Sequence, residues 1–205
     1  MDPDSTHTSR GRLLAAGKML FSRMGYEQTS TAAIAREAGS SESQLVRYFG
    51  GKSGLLEAIF NEAWSGLNDH LRTQIEEAEH GRDAILRVLK HFIEAFGQDH
   101  DIAFLFLFEG RRVRGADIIL SKGFHQFSDV LSALVRRGQE DGSFRKDVNE
   151  FVITSAMLGC AEGMIRDRMI AEREKRPHPF ENDAIHRVFE AMVQGLSGNR
   201  VPSHA

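Results

Sequence analysis

The sequence of 205 residues is poor in cysteine, in proline and in long apolar runs. Its single cysteine, Cys160, excludes an internal disulfide and is typical of a reducing compartment. Four prolines leave long stretches open to helix formation. The longest apolar run, Ile102 to Phe108, is far shorter than the ~20 residues that cross a bilayer. The polar start MDPDSTHTSRGR also lacks the apolar core of a signal peptide. We therefore predict an all-α, cytoplasmic protein with no membrane partner.

The chain also lacks a large excess of either charge, because its net charge is only −3. Its distribution is uneven: residues 10–52 carry seven basic and three acidic side chains, so this segment is +4 and the remainder is −7. A modestly basic head on an acidic body is typical of a small nucleic-acid-binding domain in a larger protein.

Apolar residues at helical spacing, punctuated by glycine and serine, predict nine helices. Their predicted bounds are Arg10–Met24, a helix capped by Ser30 or Thr31 and closed by Gly39, Ser41–Phe49, a helix from after Gly51 towards Ala78, Asp83–Phe96, Ile102–Arg111, Ala116–Gln139, Asn149–Lys175 and Phe180–Leu196. The phenylalanine-rich run 102–108 also fits a buried strand, but helical patterns on both sides favour a helix.

The segment AIAREAGSSESQLVRYF, residues 33–49, has the pattern of a helix-turn-helix. Such a motif needs a small residue where its helices cross, a residue that tolerates positive φ at the turn, and an apolar anchor on the second helix. Ala35, Gly39 and Leu45 provide these in order. The alternative is an ordinary helical hairpin whose polar face lies in water.

The second helix of this motif presents side chains that suit DNA bases. A helical wheel places Leu45, Tyr48 and Phe49 inward, Val46 at the edge, and a hydroxyl, an amide and a guanidinium outward. Arginine pairs with guanine, glutamine with adenine, and serine with several bases in the major groove. With Ser41 as the helix cap and other polar groups near phosphates, the predicted DNA-binding residues are Ser30, Thr31, Ser41, Ser43, Gln44, Arg47, Tyr48 and Lys52.

Residues 13–60 resemble the DNA-binding domain of the TetR family of transcriptional regulators. The shared residues are Phe21, Gly25-Tyr26, Thr29-Ser30, Ile34-Ala35, Ala38-Gly39, Leu45, Tyr48-Phe49, Lys52 and Leu55-Leu56. Two positions differ from the family's usual pattern: Val46 stands where an aromatic residue is usual, and Glu42 where a lysine is frequent. These departures affect which operator is read.

The resemblance implies a domain organisation and a partner set. Residues 1–9 would be a disordered arm, 10–53 the helix-turn-helix domain, 54–197 a helical ligand-binding and dimerisation domain, and 198–205 a frayed tail. The expected ligand is a small apolar or aromatic effector, since the body is rich in phenylalanine. The candidate pocket residues are Trp64, Phe92, Phe96, Phe104, Phe108, Phe127 and Met157. The alternative, which the residues taken one by one favour, is plain core packing.

The last two predicted helices resemble the pair through which family members form homodimers. The first carries a ridge of small residues and the second a wide apolar stripe, which together suit a four-helix interface. The candidate interface residues are Ala156, Gly159, Gly163, Val188, Phe189, Met192, Val193 and Leu196. The alternative is that the stripe packs only within its own chain.

Other functions have weaker support in the sequence. GGKSG at residues 50–54 is not a phosphate-binding loop, because Val46 stands where its first glycine is needed. No catalytic constellation, metal-ligand set or cofactor motif is evident. We therefore predict a DNA-binding repressor that a ligand releases from a near-palindromic operator. The alternatives are an activator and a helical interaction module without ligand-released repression.

Overall fold

The computed structural model describes residues 8–109 and 121–197 of the chain. Within these ranges it is all-α, with nine α-helices, one π-helical turn and no strand. The helices are α1 (Ser9–Met24), α2 (Thr31–Glu37), α3 (Glu42–Phe49), α4 (Lys52–Glu76), α5 (Gly81–Gln98), α6 (His100–Phe104), α7 (Ser121–Glu140), α8 (Glu150–Arg173) and α9 (Asn182–Gly195), and the π-helical turn is Leu105–Glu109. No helix in the described part of the chain is both long and apolar enough to cross a membrane.

The sequence predicted these helices closely, and the run 102–108 is helical, as expected. Its form was not foreseen, because α6 ends at Phe104 and the chain continues as a π-helical turn to Glu109. Residues 110–111 of the predicted sixth helix and 116–120 of the predicted seventh lie outside the described residues. So do residues 1–7 of the predicted disordered arm and the whole predicted tail, residues 198–205.

The chain divides into two compact units. Among the described residues the first unit contains 8–66, 99–109 and 121–124, and the second contains 67–98 and 125–197. The boundary predicted between residues 53 and 54 divides a DNA-binding domain from a ligand-binding and dimerisation domain. This division by function stays a prediction. By packing, α6 and the π-helical turn belong to the same unit as α1.

In the first unit α1 packs against α2, α3 and α6. Leu13, Phe21, Ile34 and Leu45 are fully buried there. Burying each such side chain contributes about 1.5–3 kcal/mol to folding. The helices α2, α3 and α6 are too short to be stable alone, so the core that they share with α1 holds them in place.

Polar contacts also connect α1 with the segment that follows α5. The Lys18 ammonium lies 2.7 Å from the Asp99 carboxylate, and the Ser22 hydroxyl donates to Asp101 at 2.6 Å. At the end of α1, the backbone N–H of Tyr26 donates to the buried Glu109 carboxylate. Three acidic side chains on α6, its cap and the π-helical turn thus hold one side of α1.

In the second unit α5 packs extensively on α9 and also contacts α8. Its core contains stacked aromatic rings, with the Phe92 and Phe127 centroids 5.1 Å apart. Asp141 accepts hydrogen bonds from the backbone N–H of Gly81, at the start of α5, and from that of Ser143. Burial opposes ionisation of this carboxyl group. Hydrogen bonds from the Ser143 side chain and from these two backbone groups, together with nearby His80, outweigh it and lower the Asp141 pKa.

Gly54 lies where the first turn of α4 passes the end of α3, and this close approach is testable. A Cβ atom at this position would collide with the backbone oxygen of Phe49, which cannot move without distorting α3. We expect Gly54→Ala to lower the free energy of unfolding by about 1–3 kcal/mol. Urea denaturation at fixed protein concentration measures this change.

Gly66→Ala is the matched control, because it adds the same methyl group to the same helix where nothing lies within 4 Å. Alanine favours a helix interior over glycine by roughly 0.5–1 kcal/mol, so this variant should be at least as stable as the parent. Equal stability of the two variants would contradict the packing described for Gly54.

Candidate nucleic-acid interface

Serine caps and glycine turns define the helix-turn-helix of the first unit. The Ser30 and Ser41 hydroxyls cap α2 and α3 by accepting from the backbone N–H groups of Ala33 and Gln44. Gly39, with φ of 55°, makes the turn, and Gly50, with φ of 74°, ends α3 in the left-handed conformation. Of the two caps predicted for α2, the structure therefore has Ser30.

One face of α3 is buried and the other is open. Leu45 is fully buried as the predicted anchor, whereas Ser43, Val46 and Arg47 are exposed. The prediction that Tyr48 faces inward is wrong, since 40% of this residue is exposed. Gly50 ends α3 two residues later, so Tyr48 lies in the last turn of the helix. Exposure leaves the Tyr48 hydroxyl available as a predicted DNA contact.

Gln44 joins a cluster with two serine hydroxyls from other parts of the motif. Ser9, at the start of α1, donates to Gln44 Oε1 at 2.6 Å, and Ser40, in the turn, donates to the same oxygen at 2.7 Å. The two serine Oγ atoms are 3.1 Å apart. The sequence showed Gln44 only as an outward-facing amide and gave no sign of these partners.

Two further pairs involve predicted contact residues. The Thr31 hydroxyl donates to Glu42 Oε2 at 2.5 Å, so the unusual acidic residue is held beside the start of α2. Arg47 donates from Nη2 to the Tyr48 hydroxyl at 3.3 Å, and its guanidinium carbon lies 5.0 Å from the centroid of that ring. Arg47 and Tyr48 thus share one exposed patch at the end of α3.

Lys52 is held mainly by its own chain. Its ammonium donates to the backbone oxygens of Tyr26 and Thr29 at 3.0 and 3.1 Å, and lies 4.3 Å from the centroid of the Tyr26 ring. An ammonium has three N–H donors, so these two bonds leave one for a phosphate. The sequence predicted only the phosphate role and missed this tie between α4 and the loop after α1.

The structure does not bring all the predicted ligand-binding residues into one unit. Trp64, Phe104 and Phe108 lie in the first, where the Trp64 ring meets Phe106 edge-on at 5.4 Å. Phe92, Phe96, Phe127 and Met157 lie in the second, where all four are buried. Core packing accounts for these buried rings, and their role in ligand binding stays a prediction.

A cavity of about 230 Å³ within the first unit was missed by sequence reasoning. Its lining combines apolar side chains of α1, α4 and α6 with three charged groups. The residues are Leu14, Ala15, Lys18, Ile59, Glu62, Ala63, Gly66, Asp99 and Ile102. None of them belongs to the predicted pocket. Small residues on both α1 and α4 leave this space, but no motif marks such a pair.

The predicted dimer residues fall into two groups. Phe189 and Val193 are 0% and 1% exposed and lie in the core of their own chain, on the face of α9 that packs within the second unit. The remaining six are exposed or half-exposed: Ala156, Gly159, Gly163, Val188, Met192 and Leu196. Cys160 lies beside them half-buried, and this burial raises the pKa of its thiol.

Comparison with known proteins agrees with this geometry. The family described as "Bacterial regulatory proteins, tetR family" matches residues 13–59. The HTH-type transcriptional regulator HbdR of Aromatoleum sp. (strain CIB) is 24% identical over 160 residues, which cover 78% of this chain and 70% of HbdR. UidR of Escherichia coli (strain K12) is 23% identical over 188 residues, which cover 92% of each chain.

Solved structures share the fold over most of the chain. The fatty acid degradation regulator FadR of Bacillus halodurans superposes with a TM-score of 0.81 at 18% identity, covering 90% of this chain and 98% of its own. FadR of Bacillus subtilis, solved in complex with stearoyl-CoA, has a TM-score of 0.77 at 15% identity and covers 92% and 98%. The segment that matches this family, residues 13–59, contains the whole helix-turn-helix described above, so the chain carries a helix-turn-helix domain of the TetR family type.

Proposed function

We propose that this regulator is a homodimeric repressor that reads a near-palindromic operator with α3 and leaves it when a small apolar effector binds. The open face of α3 carries the proposal. Its cap, its buried anchor and its left-handed end fix the helix, while Ser43 and Arg47 remain exposed at its surface. These are side chains that read base edges in the major groove.

Flanking polar groups suit the DNA backbone. Such groups lie before, within and after α3 in the first unit. They are the hydroxyls of Ser30, Thr31 and Tyr48 and the ammonium of Lys52. Most hydrogen bonds between proteins and DNA go to phosphate and sugar oxygens, which position the reading helix. The basic segment 10–52 supplies the charge that such contacts need.

Dimerisation through α8 and α9 would place two reading helices on one operator. The exposed surface of these helices includes large apolar side chains, with Val152 61%, Val188 41% and Ile170 37% exposed. A Cβ atom on Gly159 would meet nothing within 4 Å of its own chain, so packing within the subunit does not require a glycine there. A close-packed partner helix would require it. Two-fold symmetry would then set half-sites ~34 Å apart, or a multiple of this.

For the effector we propose a fatty acyl thioester. This rests on the overall similarity to two FadR structures, one of them solved with stearoyl-CoA. An acyl chain binds among apolar side chains, and the predicted pocket residues of the second unit, Phe92, Phe96, Phe127 and Met157, are of this kind. Release would be a population shift, since a ligand that binds one conformation more tightly favours that conformation.

Arg47→Ala tests sequence reading. If Arg47 pairs with a guanine, its loss should cost about 1–3 kcal/mol on the operator and relax preference at one base position. Fluorescence anisotropy of the protein with duplexes that tile the DNA around its own gene, at two salt concentrations, would first identify the operator and then measure the variant. The control is Lys90→Ala, which removes one positive charge from an exposed site on α5 and should leave affinity unchanged. Equal affinity of Arg47→Ala and the parent would remove Arg47 from the interface.

Ala156→Arg tests the dimer. The residue is exposed on α8, so the large cation fits the free subunit but would be buried against its partner. We expect a shift from dimer to monomer in analytical ultracentrifugation at micromolar concentration. Ala133→Arg, on the exposed face of α7 in the same unit, is the matched control and should remain dimeric. A dimer in both variants would place the interface elsewhere.

Addition of a long-chain acyl-CoA tests the effector. The operator complex should dissociate as acyl-CoA is added, and free coenzyme A at the same concentration should have no effect, because the apolar chain supplies the binding energy. Anisotropy of labelled operator follows the release. Unchanged anisotropy with acyl-CoA, in a protein that still binds its operator, would reject this ligand class without affecting DNA recognition.

A further inference from the structure

Gln44 presents only one half of its amide to a ligand. Its carbonyl oxygen accepts from both Ser9 and Ser40, at 2.6 and 2.7 Å, and a carbonyl has two lone pairs. Among the described residues no hydrogen bond engages its Nε2 group. Gln44 is half-buried, and with its oxygen occupied the NH₂ group is the polar group left to bind.

The usual glutamine–adenine pair needs both halves of the amide. The NH₂ group donates to adenine N7 while the carbonyl oxygen accepts from the adenine amino group. With its oxygen already satisfied, Gln44 can only donate. The amino group of cytosine would then face a second donor, and adenine would keep only the bond to its N7 with its amino group left against a donor. Guanine O6 and thymine O4 instead present keto oxygens that accept.

Resting on the proposed function, we propose that Gln44 selects a keto base, guanine or thymine, at one position of each half-site and discriminates against adenine and cytosine. Ser9 and Ser40 are the positioning residues, because they decide which half of the amide is available. They reach Gln44 from the start of α1 and from the turn, so three parts of the motif set this preference. The usual pairing of glutamine is with adenine, whereas these hydrogen bonds favour a keto base at Gln44.

Selection from a random duplex library, followed by sequencing, measures the preference at every position and does not require the operator to be identified first. The position that Gln44 reads is the one that loses its preference in Gln44→Ala. In the parent protein that position should hold a keto base with roughly tenfold discrimination over an amino base, or about 1.4 kcal/mol. In the Ser9→Ala/Ser40→Ala double variant the oxygen is free, so discrimination should fall to about threefold or less as adenine gains.

The control is Ser65→Ala/Ser128→Ala, which removes two hydroxyls from α4 and α7 and should reproduce the parent's preference at all positions. Thermal unfolding and ultracentrifugation of each variant would show that folding and assembly are retained. An amino base at the Gln44 position, no position that depends on Gln44, or an unchanged preference in the Ser9/Ser40 variant would each overturn the proposal. No enriched sequence with the parent protein would instead reject the proposed function itself.

Discussion

The burial of Leu45 against α1 and α2 determines what the rest of the first unit can do. Leu45 is fully buried, and α3 is only eight residues long, so tertiary contact rather than helix propensity holds this helix in place. Gly39 and Gly50 set the entry and the exit of the helix. With the anchor inside, the helical period places Ser43 and Arg47 outside. The reading surface is therefore a consequence of core packing.

The first helix, α1, carries more of the architecture than its composition suggests. It packs on α2 and α3 on one side and on α6 on another, and Lys18 and Ser22 bind acidic groups that follow α5 in the chain. Its first residue, Ser9, reaches the reading helix itself through Gln44. If an effector releases this regulator, any movement of α1 would disturb core packing and the orientation of a reading side chain together.

The aromatic residues of the sequence indicated less about tertiary packing than the helical periodicity indicated about secondary structure. The phenylalanines were candidates for one pocket, but the described structure distributes them between two units and buries most of them against each other. A cavity is instead present beside α1, where alanine and glycine leave space. Apolar composition shows that a side chain will be buried, but not whether it will face a neighbour or a void, because close packing depends on residues distant in sequence.

Local sequence signals specify the helices, their caps and their ends, because these depend on groups three or four residues apart. Ser30, Ser41, Gly39 and Gly50 act on their own neighbours, and such local signals can be read directly. Tertiary structure alone decided the state of the reading surface. Ser9 is 35 residues from Gln44, and the carbonyl of Tyr26 is 26 residues from Lys52. Hydrogen bonds over such separations arise only after the helices pack, so they decide which polar groups remain available for DNA.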